Sequence, residues 1–276
     1  MCRRLKAKKG KVIMVEINQE RCVGCGACAR DCFGKAIRMA DNKASIIREC
    51  MQCGHCVALC PVKAVSIPEY DMEGVEEYNP QTFHVEPENL LHAVKFRRSI
   101  RNYRQDKIER DKAGRVLEAG RYTATARNMQ DCTFIFVQNT LEEFRELLWG
   151  QMPEVVAQLH KNAPAYARIF GRFYENWKKD PCDDSLFFHA PAFLAIASDN
   201  PLDGGLAAAN IENMAVAEGL GVLYSGYLMR IVNSSTQLKE WLGMEDKTAS
   251  CCMLLGYPAV SYRRTAPRGK GHIVWK

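Results

Sequence analysis

Eight of the chain's thirteen cysteines fall into two copies of one pattern, set 28 residues apart. The first run is Cys22-x2-Cys25-x2-Cys28-x3-Cys32, and the second is Cys50-x2-Cys53-x2-Cys56-x3-Cys60, followed at once by Pro61. Thiolates are soft, strongly donating ligands that suit iron–sulfur clusters, and three closely spaced ones can wrap three corners of a cubane while the fourth points away. Disulfides would imply a secreted protein, yet the basic stretch 1–11 is not followed by the apolar region that a signal peptide needs. Zinc sites use paired Cys-x2-Cys units, whereas here three cysteines run in tandem and a fourth follows. Two 4Fe–4S clusters are therefore expected. Such clusters need a reducing compartment, which predicts a cytoplasmic protein and points to an anaerobe.

The 56 residues around these runs, 12–67, read as an internal duplication. Val12–Val15 and Ser45–Arg48 are strand-like runs ahead of each cysteine run, and Ala36–Met39 and Ala64–Ile67 follow in the same register. Neither half can bury its own face, so the two are expected to pair around the clusters. This segment resembles a bacterial two-cluster ferredoxin. In that family the fourth cysteine of each run ligates the other cluster. The resemblance thus implies one cluster on Cys22, Cys25, Cys28 and Cys60, and another on Cys50, Cys53, Cys56 and Cys32. The first run lacks the trailing proline, Phe33 standing there instead. His55, inside the second run, is open to a tuning role or to plain surface exposure.

Composition narrows the partners. The net charge is +6, but residues 1–11 hold six Lys or Arg and no acid, so the rest of the chain sums to zero. A short basic end is more often solvated than a binding arm, and no nucleic-acid partner is expected. No run approaches the roughly 18 apolar residues that span a bilayer; the most apolar helix candidate, Leu206 to Leu220, is interrupted by Asn210, Glu212, Asn213 and Glu218.

The boundaries predicted are a cluster domain over 1–68, an acidic, proline-bearing linker over 69–86, and a larger domain over 87–276. In the larger domain, Pro87 opens a helix, with Lys112 to Ala119 and Ala207 to Leu220 as further helices. Cys132 to Val137, Ala192 to Ala197 and Ala249 to Leu255 read as strands. The order predicts an α+β fold, a mixed sheet flanked by helices.

Three stretches of this region set cationic or polar residues beside small ones. Arg97-Arg98-Ser99-Ile100-Arg101-Asn102-Tyr103 offers guanidiniums and a hydroxyl that suit a phosphate. Ala124 to Gln130 is a small-residue turn whose Asn128 and Gln130 can hydrogen-bond a planar heterocycle, and Arg264-Thr-Ala-Pro-Arg268 again suits phosphate. Each alone also has a plain structural reading, as a solvated cluster, a capped turn or a basic tail.

Taken in order with Glu218-Gly219-Leu220-Gly221, Tyr224-Ser225-Gly226 and Gly256-Tyr257-Pro258, these stretches resemble the FMN-dependent nitroreductase family over roughly residues 86–276. The whole chain is thus similar to a ferredoxin–nitroreductase fusion. The resemblance implies FMN contacts from Arg97, Arg98, Ser99 and Arg101, ring contacts from Asn128 and Gln130, backbone from Ser225 and Gly226 at the pyrimidine edge, and Arg264 and Arg268 on the phosphate. It also implies an intertwined homodimer with FMN at the interface, and a substrate lid within 150–190 whose Tyr166, Phe170, Phe173, Tyr174 and Trp177 either line a pocket or pack a helix. The sequence departs from the family at Thr123-Ala124-Thr125 and at Cys132.

The expected activity is an FMN oxidoreductase fed through two clusters by an external low-potential donor and reducing a small flat electrophile (a nitroaromatic, quinone or enone). A non-catalytic electron carrier or sensor, and a specialised flavoenzyme such as a reductive dehalogenase, are the alternatives. None of the six histidines sits in a catalytic pattern. Cys251 and Cys252, in an apolar strand, are expected to be core residues.

Overall fold

The computed structural model describes residues 15–244 and 246–276. The basic stretch 1–11, Cys2 and most of the strand expected at Val12–Val15 lie outside the described residues; Val15 itself is buried. The chain divides into two compact units, 1–84 and 85–276.

In the first unit β1 (Glu16–Ile17), α1 (Ala27–Asp31) and β2 (Ile37–Ala40) are followed by β3 (Lys43–Ile46), α2 (His55–Leu59) and β4 (Val65–Ser66). β1 pairs antiparallel with β4, and β2 with β3, so each ladder joins one half of the duplication to the other. Each short helix opens on a left-handed glycine, Gly26 (φ 71°) and Gly54 (φ 76°). The core is thin: Val15, Ile37, Ala44, Val65 and Ile67 pack around Cys28 and Cys56. No helix or strand forms between β4 and residue 86. There Tyr70 packs on that core, and Tyr78 stacks on Phe83 with ring centroids 5.5 Å apart.

The second unit opens with α3 (Pro87–Phe96) and α4 (Arg110–Arg121), then β5 (Thr133–Val137), α5 (Leu141–Asn162), α6 (Pro164–Lys179) and β6 (Ala192–Ala197). It closes with α7 (Pro201–Ala217), β7 (Gly221–Tyr224), α8 (Gly226–Asn233), α9 (Thr236–Trp241) and β8 (Ala249–Gly256). The sheet order is β5-β6-β8-β7, with every ladder antiparallel. The parallel pairing is an isolated bridge from Ser99 to Val222, so the sheet is mixed only at that edge.

Side chains alternate across a strand, and here both faces are covered. Phe193, Ala195 and Ala197 of β6, with Cys252 and Leu254 of β8, meet Phe144, Leu148, Phe170, Leu228 and Ile231 on one side. Ala192, Leu194 and Ile196, with Cys251, Met253 and Leu255, meet Val116, Ala208, Ile211 and Ala215 on the other. That double burial is why β6 and β8 are continuous apolar runs. Burial pushes the Cys251 thiol up to about 12 and Cys252 up as well, so both behave as core residues.

α7 starts at Pro201, six residues before the alanine-rich stretch, because the Asn200 side chain accepts the Leu202 N–H and Pro201 takes the first helical position. It ends in a Schellman motif: Leu220 N–H bonds Ala215 C=O, Gly219 N–H bonds Val216 C=O, and Gly219 is left-handed at φ 75°. The segment 150–190 is mostly a helical hairpin. Its aromatics pack: Phe170 is fully buried, and Tyr166, Phe173, Tyr174 and Trp177 lie against the same core. Among the described residues no helix is long and apolar enough to cross a membrane.

Candidate functional site

In the first unit, one cavity is walled by Cys22, Cys25, Cys28 and Cys60 together with Ile17, Val23, Ala44, Val62, Ala64 and Val65. Three thiols of the first run thus meet the last thiol of the second, in apolar surroundings. Among the described residues no three His, Cys, Asp or Glu side chains converge on the point-like site of a single ion; these thiols instead ring a cavity. Backbone amides already point at sulfur: Ala36 N–H at Cys32, Gln52 N–H at Cys50 and Ala64 N–H at Cys60, at 3.1–3.2 Å. Hydrogen bonds to sulfur tune such clusters. Amides of Ala44 and Gly24 hold the Cys22 thiol below its ordinary value, while burial pushes Cys28 up and Cys56 up to about 11. Gly24 is required here: it is left-handed at φ 72°, and a Cβ would stand 2.1 Å from the Asn42 carbonyl oxygen. His55 is exposed and its Nδ1 lies 2.9 Å from Asp31 Oδ2, a surface pair between α2 and α1.

In the second unit, the segment 97–104 is stitched to the sheet edge. Ile100 N–H donates to Val222 C=O at 3.0 Å, Arg104 N–H to Tyr257 C=O at 2.8 Å, and Ala259 N–H to Asn102 C=O at 2.9 Å. The buried Tyr103 hydroxyl lies 2.8 Å from Ile100 C=O, and burial pushes that phenol up. Gly221 makes the approach possible, since a Cβ there would stand 2.5 Å from Ile100 Cγ1 and 3.0 Å from Pro258 Cγ. The arginine segment, the glycine after α7 and Gly256-Tyr257-Pro258 therefore meet at one place. Gly221→Ala is expected to destabilise the unit by about 1–3 kcal/mol through overpacking, read as a lower midpoint in chemical denaturation.

Each cation of that segment has a different neighbour. Arg97 Nη1 lies 3.6 Å from Glu212 Oε1, on the inward face of α7. Burial pushes the Glu212 carboxyl up, against which Arg97 and the Tyr224 hydroxyl hold it down. Arg98 stands over the Tyr262 ring at 5.3 Å, which brings the start of the C-terminal segment alongside. Arg101 is exposed, 5.9 Å above Phe188, in a recess lined also by Gln105, Asp184 and His189. Ser99 forms the bridge to Val222.

β7 delivers the chain to Ser225, whose hydroxyl caps α8 by accepting Leu228 N–H at 3.2 Å. A Cβ on Gly226 would meet nothing within 4 Å, so the helix start is open. The turn carrying Asn128 and Gln130 is strained: Arg127, Asn128 and Gln130 are all left-handed, at φ 54°, 54° and 49°. Non-glycine residues hold that conformation only where their surroundings over-determine it. Thr125 Oγ1 accepts Gln130 N–H at 3.0 Å, and the buried Asp203 of α7 accepts Ala126 N–H at 3.1 Å. Arg264 and Arg268 are exposed in the irregular segment after Ala259.

Sequence reasoning brought these arginines forward but missed Glu212 and Asp203. The available signal was an acid on the inward stripe of α7, in register with Ala208, Ile211 and Ala215.

Residues 14–61 match a 4Fe-4S dicluster domain. Over 62 residues the chain is 40% identical to a ferredoxin of Pyrobaculum islandicum, and over 60 residues 40% identical to a component of the ion-translocating oxidoreductase complex of Methanosarcina acetivorans. Those matches take in 22% and 21% of this chain and span only 58% and 22% of the two relatives' lengths. Among solved structures, an FMN-bound nitroreductase from Bacteroides fragilis matches with TM-score 0.53 at 22% identity, over 67% of this chain and 98% of that one. Another, from Desulfitobacterium hafniense, matches with TM-score 0.52 at 19% identity, over 67% and 98%. At such identity these two speak for the fold. Residues 94–257, more than half of the chain, match the nitroreductase family model, and the chain belongs to the nitroreductase family.

Proposed function

We propose that this chain is an iron–sulfur flavoprotein oxidoreductase, in which electrons from a low-potential donor enter at the first unit and leave through FMN in the second. The observation that carries the reading is the cavity in which Cys22, Cys25, Cys28 and Cys60 meet, on the same chain as a nitroreductase-family unit. The second cluster falls to Cys50, Cys53, Cys56 and Cys32. FMN suits the edge around β7: Arg97, Arg98 and Arg101 supply positive charge, Ser99 a hydroxyl, and the open helix start at Gly226, next to the capping Ser225, admits a ring edge. Asn128 and Gln130 are assigned to the ring, and Arg264 and Arg268 to the phosphate. When bound, the clusters pass electrons singly and the flavin delivers them in pairs to an acceptor. The acceptor class is a small flat electrophile: a nitroaromatic, quinone or enone.

A homodimer completes the reading. α3 buries none of its side chains, exposing Leu90, Leu91, Val94 and Phe96, and it packs on α7, whose Leu202 and Leu206 are also exposed. An apolar surface of that kind marks an interaction face, and a second copy is the occupant proposed.

Anaerobic purification followed by assay of iron, sulfide and released flavin tests the function. About eight iron, about eight sulfide and about one FMN per chain are expected, in a protein that sediments as a dimer. Full iron with no flavin, even after added FMN, would leave an electron carrier.

A further inference from the structure

Among the described residues, one buried side-chain nitrogen or oxygen lacks a hydrogen-bond partner: Arg230 Nε, on α8. A guanidinium is charged at physiological pH and carries five N–H donors, so it is ordinarily paired with an anion once it leaves bulk water. Arg230 forms no ion pair and no side-chain hydrogen bond among the described residues. Its guanidinium carbon instead lies 3.9 Å from the centre of the Tyr166 ring. Stacking of this kind covers one face of the cation and uses none of its in-plane donors. The terminal nitrogens are left for an acceptor in the plane.

The surroundings suggest what that acceptor is attached to. Residues three apart share a helix face, so Arg230 stands one turn beyond Tyr227 on α8. Tyr166 links the two, standing edge-on to Tyr227 with centroids 6.4 Å apart. Phe170 and Phe173 of α6 also meet the Tyr227 ring edge-on, at 5.7 Å each. Packing on three sides fixes Tyr227, yet 40% of it is exposed. It directly follows Ser225 and Gly226, the open helix start. A flat ring lying over that start meets Tyr227 first and, about 5 Å further along the helix axis, the guanidinium.

We propose that Tyr166, Tyr227 and Arg230 form an acceptor subsite that selects flat substrates bearing a carboxylate or a like planar oxyanion. It rests on the assignment of Ser225 and Gly226 to the flavin edge. It narrows the acceptor from flat electrophiles in general to anionic ones. Arg230 is a specificity residue in this scheme, holding the end of the substrate away from the reducible group.

The test compares 4-nitrobenzoate with 4-nitrobenzamide, which share a shape and differ in charge. Their dissociation constants for the oxidised holoenzyme are read by titration calorimetry. The natural chain is expected to bind the anion at least about tenfold more tightly, and Arg230→Gln to bring the ratio to about one. Should Arg230→Gln fail to fold, Arg230→Met keeps the apolar stem, removes the charge and carries the same expectation. Equal affinities in the natural chain, binding of neither compound, or an unchanged ratio in the variant each overturn the proposal. Turnover of the amide by the reduced holoenzyme is scored separately. Its absence counts against the nitroaromatic reading while the binding ratio still judges Arg230.

Discussion

A chain in which both Cys22 and Cys60 are replaced by alanine is expected to keep one intact 4Fe–4S cluster, whereas the Cys50→Ala, Cys60→Ala double variant keeps none. The expectation follows from the cavity that gathers Cys60 with Cys22, Cys25 and Cys28 rather than with its own run. Under that crossed assignment the first pair of substitutions strips two ligands from a single cubane and spares the other. The second pair takes one ligand from each. An assignment within runs predicts the reverse, so the pair of variants decides between them where a single cysteine variant would not. Iron should fall from about eight to about four per chain in the Cys22, Cys60 variant, with one cluster signal remaining in the electron paramagnetic resonance of the reduced protein. A single intact cluster in the Cys50, Cys60 variant would sink the crossed assignment. Stability should drop as well. The first unit has few buried apolar side chains besides the cysteines themselves, and in so small a unit metal ligation supplies much of the folding free energy.

What the sequence disclosed follows a physical line. The dicluster domain was legible because its chemistry is local: three thiols within seven residues, twice over, carry the same signal in any fold. β6 and β8 were legible as continuous apolar runs because the sheet is buried on both faces. β7 was not, since Gly221–Tyr224 is four residues long and becomes a strand by pairing with β8. The family's glycines were visible only as a pattern, and their reasons needed coordinates: Gly219 turns the chain out of α7, and Gly221 lets Ile100 approach. Helical spacing likewise could not say whether the aromatics of 164–179 line a pocket or pack. Phe170 packs, while Tyr166 also carries Arg230. The Arg97–Glu212 pair was out of reach because its partners come from α3's end and the middle of α7, which tertiary packing alone brings together.

That pair supports the second large effect. Arg97→Ala is expected to weaken FMN binding by about ten- to a hundredfold, the loss of one charge-assisted contact, and to make stability more dependent on pH. Burial already raises the Glu212 carboxyl above its ordinary value of 4.5, and Arg97 opposes that rise. Without Arg97 the carboxyl rises further, so over a wider range the folded state holds a proton that the unfolded state has released. Stability that depends on the bound proton is fully present below the ordinary carboxyl value and is lost as pH climbs through the raised one. The variant should therefore lie nearest the natural chain at about pH 5 and furthest from it at about pH 8. A gap there of about 1–3 kcal/mol is expected, reduced because neither side chain is fully buried. Adding Glu212→Gln removes the titrating group, so the double variant should lose the extra pH dependence and recover part of the stability at pH 8. Denaturation midpoints across pH 5–8 read the carboxyl, and quenching of flavin fluorescence reads the cofactor. If Arg97 only neutralised Glu212, the double variant would regain FMN affinity together with stability. Recovery of stability without recovery of affinity assigns Arg97 a direct contact with the anionic cofactor, and parallel stability curves for Arg97→Ala and the natural chain would refute the coupling to Glu212.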